Sequence, residues 1–158
     1  MIPFRLNKLQ FQDRYRGCLN RLSVQAIKEI QQLLTRPVPS DIKAAEVQIF
    51  VGVDDPYLPS AWIYFEGKNN RVDPTDMSIF PRRSIELGLG LGTLEEFDDR
   101  YFTDNFGGKD IVANVLKTWF AECWWKAGGW SYAVPATVSV HDQYGDASAI
   151  ELSEHGLG

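Results

Sequence analysis

His141 and Asp142 are adjacent in the sequence, and Asp146 follows four residues later. A histidine beside a carboxylate can act as a general acid or base, and three or more such side chains can bind a metal ion. The one other histidine, His155, lies close to the end of the sequence. This group therefore offers too few ligands for a metal site to be predicted. The aspartates fit a turn in which they accept from backbone amides, and His141 fits the end of a strand.

Glycines at positions 88, 90 and 92 lie between a predicted strand and a predicted helix, which is the setting of a nucleotide-binding loop. Their spacing is not G-x-G-x-x-G, and no lysine follows in the position that phosphate binding requires. Glu95 and Glu96 open the predicted helix and would repel a phosphate there. We therefore interpret the glycines as places of close backbone packing, and we expect no cofactor.

No residue of this chain is a clear candidate for a catalytic nucleophile. Cys18 and Cys123 fall on the apolar faces of predicted helices, which is typical of buried, unreactive thiols in a reducing cytoplasm. No serine lies in a G-x-S-x-G sequence. No catalytic residue is assigned, and the sequence leans against an enzyme.

Charge is unevenly distributed along the chain, whose formal net charge is −5. Residues 1–43 are basic, and acidic residues are concentrated between Glu86 and Asp110. Clustered charge of one sign attracts a partner of the opposite sign, although the acids could equally face the basic N-terminal helix. An acidic chain is not expected to bind nucleic acid. The candidate partner-binding acids are Glu95, Glu96, Asp98 and Asp99.

Aromatic residues make up 13% of the chain and include five tryptophans. Trp119 and Phe120 share the apolar face of a predicted helix, whereas Trp125 falls on its opposite side, where a polar residue is expected. Three explanations remain for Trp125: cover by residues 128–135, a subunit interface, or an anchor for a partner.

Trp62 and Tyr64 alternate with apolar residues on a predicted strand, so they share one face of it. If that face is turned outward, the two rings form an aromatic surface for a ligand. Together with His141 and Asp142, they are the candidate ligand-binding residues.

The elements that would position these groups follow from hydrophobic periodicity. Apolar residues at three- and four-residue steps predict a helical region over 11–34, as one bent helix or two, ended by the prolines at 37 and 39. Further helices are predicted over 94–102 and 110–127. Strands are predicted over 46–53, 61–66, 83–91, 136–141 and 149–152, and a turn over 54–60.

This order of elements predicts a single α+β domain over residues 1–158. An antiparallel sheet of four to six strands would carry the long N-terminal helix and the helix at about 110–127 on one face. No apolar run is long enough for a membrane helix, and the N-terminus lacks the apolar core of a signal peptide, so a cytoplasmic protein without membrane contact is expected.

Three functions are consistent with the sequence. Small size, acidity, many aromatic residues and no catalytic group are together typical of a bacterial interaction module, such as an immunity protein that neutralises a toxin. This analogy of composition predicts a basic protein partner. The alternatives are a small-molecule-binding protein or enzyme with an aromatic-lined pocket near His141, and a homo-oligomer whose remaining aromatic residues lie at the interface.

Overall fold

A computed structural model describes residues 1–52, 57–68, 70 and 80–154 of the chain. Three helices, α1 to α3, lie at Lys8–Asn20, Ser23–Leu34 and Gly108–Lys126. Five strands, β1 to β5, lie at Ile42–Phe50, Ser60–Gly67, Ser84–Glu86, Ala136–Val140 and Ile150–Glu151. Single 3-10 turns lie at Leu91–Thr93, Asp99–Phe102, Gly129–Ser131 and His141–Gln143. Val53, where the first predicted strand ends, and residues 54–56 of the predicted turn lie outside the described residues.

The five strands form one sheet in the order β3-β2-β1-β4-β5, which confirms the α+β class and the predicted number of strands. β1 and β2 are antiparallel, with Val47 opposite Ile63, and the β2–β3 and β4–β5 pairs are antiparallel as well. The β1–β4 pair is parallel, with Val47 opposite Val138, so the sheet is mixed rather than wholly antiparallel. Parallel neighbours need a long crossover connection, and here that connection contains α3.

Strands β1, β2 and β4 bury alternate side chains along most of their length. The buried row includes Val47 and Ile49 on β1, Ile63 on β2 and Val138 on β4, and α3 packs against this face at β1 and β4. Side chains of the alternate row are half-buried or exposed, and no described helix packs on them. The sheet therefore has one face that belongs to the core and one polar face.

The predicted N-terminal helical region consists of two helices, α1 and α2, separated at residues 21 and 22. α1 begins with a capping box, in which the Gln10 amide donates to the Asn7 side chain and the Asn7 amide to the Gln10 side chain. α1 and α2 both pack against α3. The indole Nε1 of Trp119 on α3 donates to the Ser23 hydroxyl at 3.0 Å, which fixes the start of α2 on this helix.

α3 is the central helix, because α1 and α2 cover one side of it and the sheet covers another. Trp119 and Trp124 are both at most 1% exposed, and Lys117 is 3% exposed. The helix ends at Lys126, and Gly128, two residues later, has a φ of +92°, the left-handed conformation that commonly follows a helix. Among the described residues, no helix has the length and apolarity that crossing a membrane requires.

The helix predicted over 94–102 is wrong, because residues 94–98 are extended between two 3-10 turns. The backbone of Ile2 takes up this segment instead: the Ile2 amide donates to the Glu96 carbonyl, and the Asp98 amide donates to the Ile2 carbonyl. Asp98 then caps the second turn by accepting from the Arg100 amide. Pairing with a distant part of the chain thus replaces local helical hydrogen bonds.

β3 is shorter than the strand predicted over 83–91, and the chain leaves the sheet after Glu86. Gly90 has a φ of +79°, and a side chain there would meet Gln25 of α2 at 3.0 Å. A side chain at Gly88 would lie 3.4 Å from the Glu29 carboxylate. These glycines allow α2 to approach the backbone, in agreement with the packing interpretation.

Two glycine-to-alanine substitutions test how closely the 3-10 turn at Asp99–Phe102 packs against α3. At Gly108 a Cβ would lie 2.1 Å from the Tyr101 carbonyl oxygen, so G108A is expected to lower the free energy of unfolding by about 1–3 kcal/mol. Gly17 on α1 has no atom within 4 Å of such a Cβ, so G17A is expected to raise it by about 0.5–1 kcal/mol. Urea unfolding measures both, and equal effects would contradict the packing described here.

Candidate functional site

A cavity of about 220 Å³ opens between the N-terminal part of the chain and the acidic segment. We name it the aromatic cavity, because four of its described lining residues are aromatic. Its apolar lining is completed by Met1, Leu58 and Leu94. The aromatic lining residues are Tyr15, Tyr57, Phe97 and Phe102.

The charged residues among the described lining of the aromatic cavity are all acidic: Glu95, Glu96 and Asp99. One of them, Glu96, directly precedes an aromatic lining residue, since Phe97 is buried between the exposed Glu96 and the partly exposed Asp98. An extended segment points successive side chains to opposite sides, so buried rings and exposed carboxylates share one short stretch.

Glu95 is bound by the basic helix of its own chain. Its Oε1 lies 3.0 Å from the Arg21 guanidinium, and its Oε2 lies 3.3 Å from that of Arg14. The hydrogen bond from Arg21, together with that from Arg14, lowers the pKa of the Glu95 carboxyl. For this residue, the acidic segment faces the N-terminal helix, which was one of the two arrangements considered.

Asp98 is also paired within the chain. The Arg100 side chain donates to both carboxylate oxygens of Asp98 at 2.9 Å, and these bonds lower the pKa of Asp98 to about 2. Glu96 and Asp99 differ from both of these acids. They are exposed, and no described residue forms an ion pair with either carboxylate.

Tyr15 contributes a hydroxyl that has no hydrogen-bond partner among the described residues. Its side chain is 3% exposed, and burial raises its pKa far above the usual value, so the phenol stays neutral. In the described part of the chain, the unpartnered side-chain atoms that are wholly inaccessible are Trp124 Nε1 and the Tyr132 hydroxyl. The Tyr15 hydroxyl is not among these atoms, and Tyr15 is one of the residues that line the aromatic cavity.

Trp125 lies away from the aromatic cavity. It is 42% exposed, so cover by residues 128–135 is incomplete, and nearby Trp130 is 40% exposed. Trp125 is not among the described residues that line the aromatic cavity, whereas Glu95, Glu96 and Asp99 are.

A second depression, of about 480 Å³, lies on the polar face of the sheet. We name it the sheet-face cleft. Tyr64 and His141 both line it, whereas Trp62 lies on the same face outside the lining, opposite Gln48 and Glu86 in the strand register. The other described lining residues are Glu46, Gln48, Phe65, Glu66, Gly67, Asn70 and Arg83.

The polar groups of the sheet-face cleft form a hydrogen-bonded chain across β1 and β4. The Gln48 Nε2 and the Ser139 hydroxyl donate to the Glu46 carboxylate at 2.6 and 3.3 Å. The Gln48 Oε1 therefore faces Nδ1 of His141, at 3.3 Å. On the other side of the imidazole, Asp142 Oδ1 lies 3.2 Å from Nε2.

The segment after His141 is held on α3 by polar contacts. Lys117 donates to Asp146 and to the carbonyl and hydroxyl of Ser148, and the Asp146 amide donates to Asn114. Asp142 has a φ of +63°, a conformation that L side chains rarely adopt. The buried Lys117 thus holds the segment that follows His141 and Asp142 against α3.

Several residues of these two sites were not among the sequence candidates. Tyr15 lies on the apolar spacing of the predicted helical region over 11–34, and Tyr57 lies within the predicted turn over 54–60. Glu46 and Gln48 alternate with Val47 and Ile49, which is the signal that could have placed them with Tyr64 on the polar face.

Within the described ranges, no three histidine, cysteine or acidic side chains lie together in a way that could hold a metal ion. Comparison of the chain with protein-family models, with curated proteins and with solved structures finds no match.

The Lys117–Asp146 contact predicts a specific dependence of stability on pH. Hydrogen bonds from Lys117 and Ser148 hold the pKa of Asp146 well below its usual range. Stability from a lowered carboxyl pKa is complete above the unfolded-state value, about 3.9, and is lost as pH falls through the folded-state value. D146N should therefore be less stable than the parent chain above about pH 5, and the difference should shrink on acidification.

Urea unfolding of both chains between about pH 3 and 7 measures this difference. D104N is the matched control, because Asp104 is exposed and has no partner in the described part of the chain. Its stability should follow that of the parent at every pH. A D146N difference that stays constant on acidification would contradict the role assigned to Lys117.

Proposed function

We propose that this chain is a protein-interaction module that binds a basic protein through Glu96, Asp99 and the aromatic cavity. In this proposal it is a small bacterial protein of the cytoplasm, of the immunity type that neutralises a toxin. The observation that carries the proposal is that Glu96 and Asp99, which form no ion pair with the described residues, line the aromatic cavity.

Two physical arguments support a basic partner. Glu95 and Asp98 are neutralised by arginines of the chain, which leaves the neighbouring Glu96 and Asp99 to act on an incoming molecule. Exposed carboxylates attract positive charge over about a Debye length, roughly 10 Å at 0.1 M salt. Aromatic residues and a pocket at the centre of such a patch are features of protein–protein interfaces.

The partner is sought among the proteins encoded beside this chain in its genome. Each is purified, and its affinity for the chain is measured at low and at high salt. One neighbour with a basic surface is expected to bind, and its affinity should fall as salt is raised. The double variant E96K/D99K should bind that protein at least about tenfold more weakly, because it places like charges at the interface.

The control variant E151K/E154K makes the same change in net charge on two exposed residues at the other end of the chain. It should keep the affinity of the parent. The proposal is wrong if no basic neighbour binds, or if both double variants lose affinity equally.

The sheet-face cleft supports a second candidate function, the binding of a small polar molecule. Its volume of about 480 Å³ lies within the roughly 300–1,000 Å³ that is typical of small-molecule sites. Tyr64 supplies an aromatic wall, and His141, Glu46 and Arg83 supply polar groups of different charge.

Ligand-observed NMR with a library of polar fragments tests this second function. Fragments that bind the parent chain should bind the Y64A variant at least about fivefold more weakly, because the substitution removes a stacking surface. W62A removes a ring from the same face of the sheet but outside the cleft, so it should keep the fragments. Equal losses in the two variants, or no binding fragment at all, would contradict this function.

A further inference from the structure

We infer that the aromatic cavity is a socket for one arginine side chain of the partner protein. This inference rests on the proposed function and names the group that the cavity receives. It follows from the size of the cavity, from its charge and from the Tyr15 hydroxyl.

The size of the cavity fits a single side chain. At about 220 Å³, it is smaller than the roughly 300–1,000 Å³ of sites that enclose a drug-sized molecule. Interfaces often concentrate their binding energy in one or a few long side chains, arginine among them, that enter a central pocket.

The charge of the cavity selects a cation. The charged side chains of its described lining are carboxylates, and Glu96 and Asp99 have no ion-pair partner among the described residues. The face of an aromatic ring carries negative charge and attracts a cation, as at Tyr57, whose ring stacks on Phe102 and has Lys109 Nζ 6.0 Å from its centroid.

The Tyr15 hydroxyl supplies an acceptor inside the cavity. A buried polar group normally has a hydrogen-bond partner, and leaving it without one costs free energy. The neutral phenol can accept a hydrogen bond from an N–H donor that enters the cavity. A bound side chain with several N–H groups would therefore provide the partner that the described residues do not.

These requirements distinguish arginine from lysine. The guanidinium is planar and carries five N–H donors, so it can stack on a ring while donating to a carboxylate and to the Tyr15 hydroxyl. The lysine ammonium is compact and more strongly hydrated, so it gains less on entering an aromatic site. Glu95 already accepts from two guanidinium groups, those of Arg14 and Arg21, at the edge of the same segment.

The test uses Nα-acetyl-arginine amide as the probe, titrated into the full chain and followed by two-dimensional NMR of the backbone amides. Shifts are expected at residues 96–99 and at Tyr57. Nα-acetyl-citrulline amide has nearly the same shape without the charge, and Nα-acetyl-lysine amide has the charge without the planar group. Both should bind at least about fivefold more weakly than the arginine probe.

Y15F tests the hydroxyl separately from the ring. It removes a buried group without a described partner, so the variant should fold at least as well as the parent. Its affinity for the arginine probe should fall at least about tenfold, the loss expected for one hydrogen bond to a charged donor. E96Q/D99N should lower both the affinity and its salt dependence, whereas D104N, at an exposed residue outside the cavity lining, should leave both unchanged.

The outcomes separate this inference from the proposed function. Binding of the arginine probe that depends on Tyr15 supports the socket, whatever E96K/D99K does to the protein partner. If the citrulline or lysine probe binds as well as the arginine probe, or if none shifts residues 96–99, the socket is wrong. The proposed function still stands in that case if E96K/D99K loses the basic partner and E151K/E154K keeps it.

Discussion

The hydroxyl of the buried Tyr101 is the hydrogen-bonding centre on which the arrangement of the chain near the cavity depends. It donates to the Pro3 carbonyl and accepts from the amides of Arg5 and Leu6, at 3.1 and 3.2 Å, so one side chain satisfies three backbone groups of the N-terminal segment. Its ring stacks on Phe11 with centroids 4.8 Å apart. Because Ile2 pairs with residues 96–98, fixing the N-terminal segment also fixes the acidic segment and the aromatic rings beside it.

In the structure, some charges of the acidic segment are paired within the chain. The acidic segment and the basic N-terminal region neutralise one another where Glu95 pairs with Arg14 and Arg21, and Asp98 is neutralised locally by Arg100. Exposed pairs of this kind contribute little to stability. These ion pairs occupy Glu95 and Asp98. In the proposed function, they leave Glu96 and Asp99, beside the rings of the aromatic cavity, to contact a partner.

The sequence predicted those parts of the fold that periodicity determines, and it failed where distant contacts decide. α3 and the β1–β2 pair follow from the spacing of apolar residues, and both were confirmed. The parallel β1–β4 pair could not be predicted, because no local pattern distinguishes the direction of a neighbouring strand. No pattern in residues 94–98 indicates that they pair with Ile2, so Glu95, Glu96 and Asp98 were predicted to lie on a helix. For the same reason the aromatic cavity was not predicted, since its described lining comes from four separate stretches, around residues 1, 15, 57 and 97.

The parallel neighbour of β1 has a consequence for the order in which the protein is made. β2 follows β1 closely, but β4 is synthesised about 85 residues after β1 ends. At roughly 5–20 residues per second, β1 waits several seconds with one edge unpaired. An unpaired edge can recruit a strand of another chain. The rate of synthesis and the protection of this edge therefore affect the fraction of chains that fold, independently of the stability of the folded state.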